Sequence, residues 1–101
     1  MPQKIWKYPI NTHDVNFVLE IPEGGKPLYF EIQKNIPTLW VLVNPEHKFE
    51  KRFFRIVGTG DTIEEEDCLK YIGTIQMADG DLIFHLFERL KNARGFKTKF
   101  N

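Results

Sequence analysis

Three groups of side chains in this 101-residue sequence are equipped for chemistry: a pair of arginines, a glycine–threonine turn with a distant histidine, and two tryptophans. Arg52 and Arg55 lie in one alternating apolar stretch, so they project to opposite faces of a strand, and with Lys51 they form a basic cluster suited to phosphate or carboxylate. The structural alternative is cross-strand pairing with Glu31 or Glu50. Gly58-Thr59-Gly60 offers backbone N–H groups to an anion. It lacks the further glycine and helix of a dinucleotide fingerprint and the Gly-Lys-Ser/Thr ending of a phosphate loop, so a plain strand-ending turn competes with that reading. His85 shares a strand face with Ile83 and Phe87, where it either satisfies a hydrogen bond or touches a ligand. Trp6, between Lys4 and Lys7, is expected to be partly exposed and able to stack or anchor an interface, whereas Trp40 is expected in the core.

Other chemistries find little support. His13, His47 and His85 are too widely spaced for a local metal signature, and no Ser/His/Asp or Cys/His arrangement can be argued, so no catalytic residue, metal or cofactor is expected. Cys68 follows four acids, surroundings that oppose a thiolate nucleophile, and as the only cysteine it forms no intrachain disulfide. A cytosolic protein is therefore expected. The start, MPQKIWKYPI, has no apolar signal core, and the longest apolar run, Leu39 to Val43, is far below the roughly 20 residues that span a bilayer.

The elements that must position these residues read as strands. Apolar residues recur at every second position in Val15 to Ile21 and Leu28 to Ile32, which are expected to pair as a hairpin across Pro22-Glu23-Gly24-Gly25. Thr38 to Asn44 is apolar on both faces and suits a central position. Phe49 to Val57 sets Arg52, Phe54 and Ile56 against Phe53, Arg55 and Val57, and Lys70 to Met77 pairs with Leu82 to Glu88 across Ala78-Asp79-Gly80-Asp81. With Ile5 to Pro9, about seven strands predict an all-β domain, an antiparallel β-sandwich or small barrel over residues 1–88. Between the Phe49–Val57 strand and the last hairpin, in Thr62 to Leu69, Thr62 is expected to cap one helical turn.

The balanced total of 14 bases and 14 acids argues against a wholly basic nucleic-acid binder and against an acidic disordered chain. That total conceals a division. Residues 1–88 hold 9 bases and 14 acids, while residues 89–101 hold 5 bases and no acid, interleaved with Phe96 and Phe100. Such a basic tail suits a nucleic-acid strand, an anionic ligand or an acidic partner surface, with simple solubility as the alternative.

The series Ile5-Trp6-Lys7-Tyr8-Pro9, Leu39-Trp40-Val41-Leu42-Val43-Asn44-Pro45, Phe54-Arg55-Ile56-Val57-Gly58-Thr59-Gly60, and Tyr71-Ile72-Gly73-Thr74-Ile75-Gln76 followed by Phe84-His85-Leu86-Phe87 resembles a family of short phage and prophage proteins without a settled activity. The resemblance runs from about Ile5 to Glu88. It implies a phage origin, action in the host cytosol, and no catalytic residues to carry over. Compact phage domains of this size include proteins that sequester nucleotide immune signals and inhibitors that mask host proteins, a comparison by analogy. The expectation is a homo-oligomeric, non-enzymatic, anti-defence protein that captures a small anionic, nucleotide-like ligand through Trp6, Arg52, Arg55, Thr59 and His85. A protein-interaction module, acting on a host protein or in the virion, is the alternative, and a small nucleotide hydrolase is the third reading.

Overall fold

The computed structural model describes residues 2–90. Apart from Arg89 and Leu90, the expected basic tail, with Phe96 and Phe100, lies outside the described residues. The chain forms β1 (Lys4–Pro9), β2 (Asn16–Pro22), β3 (Lys26–Gln33), β4 (Ile36–Val43), β5 (Phe49–Gly58), β6 (Leu69–Met77) and β7 (Leu82–Arg89), with short 3-10 turns at Glu65–Asp67 and Ala78–Gly80. The fold is all-β, as the alternation predicts. All pairings are antiparallel, in a three-stranded sheet ordered β1-β4-β3 and a four-stranded sheet ordered β2-β5-β7-β6.

This topology corrects the first expected hairpin. Pro22 to Gly25 does not join paired strands; it carries the chain from one sheet to the other, so that β2 pairs with β5 and β3 with β4. The corner is tight: Gly25 N–H donates to Pro22 O at 2.9 Å, and a Cβ on Gly25 would sit 2.5 Å from Ile21 Cγ2. Glu23 N–H is taken by Lys48 O at 2.8 Å, which ties the corner to the start of β5. The hairpin in this half is β3–β4, closed by Lys34 and Asn35 at φ +49° and +66°, the pair of positive angles that a two-residue type I′ turn requires. The β6–β7 hairpin forms as expected, with Asp79 and Gly80 at φ +55° and +91°.

The core lies between the sheets. Phe30, Leu39, Val41 and Val43 from one sheet meet Ile21, Phe54, Ile56, Ile75 and Leu86 from the other, all buried. Their positions follow the period of two, so the same strands turn a second set of side chains outward. Near one margin of the sandwich β6 lies against β3, and Gly73, at a bulge, allows the approach: a Cβ there would stand 3.0 Å from Phe30 Cβ. Before β6, the helical turn begins at Glu64 rather than at Thr62, because the Asp67 carboxylate accepts the Glu64 N–H at 3.2 Å and closes the turn on itself.

Candidate functional site

The strand parity places the five predicted contact residues on different surfaces. Thr59 and His85 do meet, with Oγ1 2.8 Å from His85 Nε2, on the outer face of the four-stranded sheet. The other ring nitrogen, Nδ1, lies 2.9 Å from Thr74 Oγ1, which in turn contacts Tyr71 Oη at 2.6 Å. This chain of hydroxyls fixes the imidazole. The Thr59–His85 distance is within reach for a nucleophile and its base, but the nearby Gly58 N–H is already held by Asp61 Oδ2 at 2.8 Å. Asp61 thus takes one of the N–H groups that Gly58-Thr59-Gly60 could offer an anion, and the segment ends β5 in a turn.

Arg55 lies on the same outer face, where it is committed to structure. Its Nε donates to Asn16 Oδ1 at 3.1 Å and its Nη1 to Asp67 Oδ2 at 2.8 Å. The other Asp67 oxygen faces the buried Arg89 at 3.8 Å, so one carboxylate sits between two guanidinium groups. The hydrogen bond from Arg55, with its charge and the Glu64 N–H, holds the Asp67 carboxyl below the usual carboxylate range despite burial. Arg89, which the sequence grouped with the tail, ends β7, and burial first and Arg55 second lower its pKa, against the pull of Asp67.

Arg52 turns inward instead. Its Nε and Nη2 engage both oxygens of Glu88, the second contact at 3.0 Å, while Nη1 donates to Gly25 O at 2.9 Å and to Glu50 Oε2 at 3.3 Å. The hydrogen bonding to Glu88 is the largest influence raising its already high pKa. The anticipated pairing with Glu50 is found, and Glu88 takes the place considered for Glu31. Both tryptophans are half-buried, so Trp6 is partly exposed as expected while Trp40 is not the core residue expected. Trp6 pairs with Val41, so it faces inward, packs on the core and lies 6.2 Å from the Phe49 ring, whereas Trp40 alternates outward between Leu39 and Val41.

What the structure assembles around Arg52 is a cleft of about 410 Å³, lined by Gly24, Gly25, Lys26, Pro27, Arg52, Lys70, Tyr71, Ile72 and Glu88. Its walls are the inter-sheet corner with the start of β3 on one side and the start of β6 on the other. Lys70 is the cross-strand neighbour of Glu88, yet Arg52 already engages both Glu88 oxygens. Neither Lys70 nor Lys26 forms an ion pair among the described residues. Two exposed ammonium groups therefore border a pocket whose only lining acid is neutralised, beside the exposed ring of Tyr71. Sequence reasoning found Arg52 but missed Lys26, Lys70 and Tyr71, which become neighbours only because two strand edges meet. Among the described residues no cluster of three or more metal-ligating side chains occurs, and no helix is long and apolar enough to cross a membrane.

Fold and cleft together define a small two-sheet β domain with an open, positively bordered groove at one sheet margin. The chain belongs to a family described as a domain of unknown function, DUF7352, whose model matches residues 1–95 and so extends past Glu88, where the motif resemblance ends. No curated protein and no solved structure matches it.

Proposed function

We propose that this protein is a phage-encoded, non-enzymatic binder that captures a small anionic, nucleotide-derived host signal in the cleft between β3 and β6. The observation that carries the reading is the pair Lys26 and Lys70, which form no ion pair among the described residues while Arg52 neutralises Glu88. Clefts for small ligands hold roughly 300–1,000 Å³, and this one, at about 410 Å³, has room for a nucleotide. Tyr71 supplies a ring for the base. The cleft opens at the free edges of two sheets, so a second copy laid along that margin would close it, which supports a homo-oligomer. The phage origin rests on the motif series.

The test is direct. Purified protein is mixed with cyclic dinucleotides and with ADP-ribose derivatives, binding is read by thermal shift and calorimetry, and the ligand is recovered by heating. At least one ligand is expected to raise Tm and to be returned unchanged, and Lys26→Glu with Lys70→Glu is expected to abolish the shift. No shift with any of these compounds sinks the proposal. Recovery of a hydrolysed product that Thr59→Ala abolishes would favour the hydrolase reading, which rests on the 2.8 Å Thr59–His85 contact.

A further inference from the structure

The outer face of the three-stranded sheet is used neither by the core nor by the cleft, apart from Lys26 at its margin. Cross-strand pairing sets Lys7, Trp40 and Tyr29 in one row across β1, β4 and β3, with Ile5, Leu42 and Lys26 in the next. Tyr29 is 58% exposed. Lys7 Nζ stands 5.9 Å from the Trp40 ring centre and donates to Gln33 Oε1 at 2.8 Å. Next to it, Lys7, Gln33, Lys34, Ile36 and Thr38 help line a shallow depression of about 130 Å³. Three lysines, Lys7, Lys26 and Lys34, share this surface with one acid, Glu31, although residues 1–88 as a whole have 9 bases against 14 acids.

We infer that this face is a platform for single-stranded nucleic acid, with bases stacked on Tyr29 and at Trp40 and backbone phosphates at Lys7 and Lys34. Flat aromatic surfaces with interspersed cations bind single strands because every base has a π-face and every linkage a negative charge. The charge on the face decides against two other occupants. A second copy presenting the same surface through a two-fold axis would bring lysines against lysines. A bilayer would have to desolvate Glu31 and Gln33 on the patch, whereas a nucleic-acid strand leaves them in water or hydrogen-bonds them.

The experiment uses the full chain and fluorescence anisotropy of labelled oligothymidylate and oligouridylate of about a dozen nucleotides, a length within the range such platforms cover. Saturable binding that weakens steeply with salt is expected. Tyr29→Ser should weaken it about tenfold, the loss of roughly one stacked base, with Tyr29→Phe retaining it. Lys7→Glu with Lys34→Glu should weaken it further, and Lys70→Glu should leave it unchanged. Circular dichroism and a thermal melt on each variant establish that the exposed substitutions preserve the fold. Several results would overturn the inference: no binding at low salt, binding indifferent to Tyr29→Ser, loss of binding with Lys70→Glu, or a dimer that Tyr29→Ser converts to monomer. Vesicles of anionic phospholipid that bind with the same Tyr29 dependence would also overturn it. Mononucleotide capture is read through Lys26 and Lys70 together and strand binding through Tyr29, Lys7 and Lys34, so failure of either test leaves the other interpretable.

Discussion

At the scale of single residues, Asp67 and Arg52 each do the work of several contacts. The Asp67 carboxyl is held low in the folded protein chiefly by the Arg55 hydrogen bond. Its contribution to stability is therefore complete above the unfolded carboxyl value of about 4 and is lost as pH falls through the lower folded value. Asp67→Asn should reduce stability at neutral pH by roughly 1–3 kcal/mol, because two guanidinium groups lose their shared anion, and should flatten the acid limb of the stability curve. Urea unfolding of both proteins across the acid range checks both effects. Arg52→Lys should cost about 1–3 kcal/mol in the same assay, since one ammonium cannot hold Glu88 through two parallel bonds while also reaching Gly25 O and Glu50.

At the scale of elements, two turns and one bulge determine which strands meet. Asn35 holds φ +66° in the β3–β4 turn, so Asn35→Ala should lower stability by about 1 kcal/mol, whereas Asn35→Gly should be nearly neutral in thermal unfolding. Gly73→Ala must push β6 away from Phe30, a loss on the order of 1–3 kcal/mol by the same measurement. Strand positions, the opposed faces of Arg52 and Arg55, and the β6–β7 hairpin were all legible, because period two and an Asp-Gly dipeptide are local signals. The assignment of strands to sheets was not, since Pro22-Glu23-Gly24-Gly25 suits a corner as well as a hairpin. The outward side of Trp40 was not legible for a related reason. β4 is apolar on both faces, so only its pairing with β1, Trp6 opposite Val41, fixes which side is inward. Lys26 and Lys70 are far apart in sequence, and nothing local to either marks the cleft they share.

At the scale of the molecule, the zero net charge is an average over unlike surfaces. The described body is acidic around the 61–67 loop yet basic at the β3–β6 margin and across the outer face of the three-stranded sheet. Capture of an anion in the cleft should therefore be steered locally and weaken as salt screens it, a dependence that calorimetry at rising ionic strength measures and that Lys70→Gln should reduce. The corner at Pro22 to Gly25 has a further consequence, for synthesis. β2 is the one strand from the first half of the chain that belongs to the four-stranded sheet, and all of β3 and β4 lie between it and its partner β5. On the ribosome, Phe17, Leu19 and Ile21 emerge well before Phe54 exists to receive them, while β3 and β4 can close locally. A nascent chain thus carries an unmated apolar strand until β5 is made. Leu19→Ala should accordingly speed unfolding while scarcely slowing refolding in stopped-flow measurements, the signature of a strand that docks after the rate-limiting barrier.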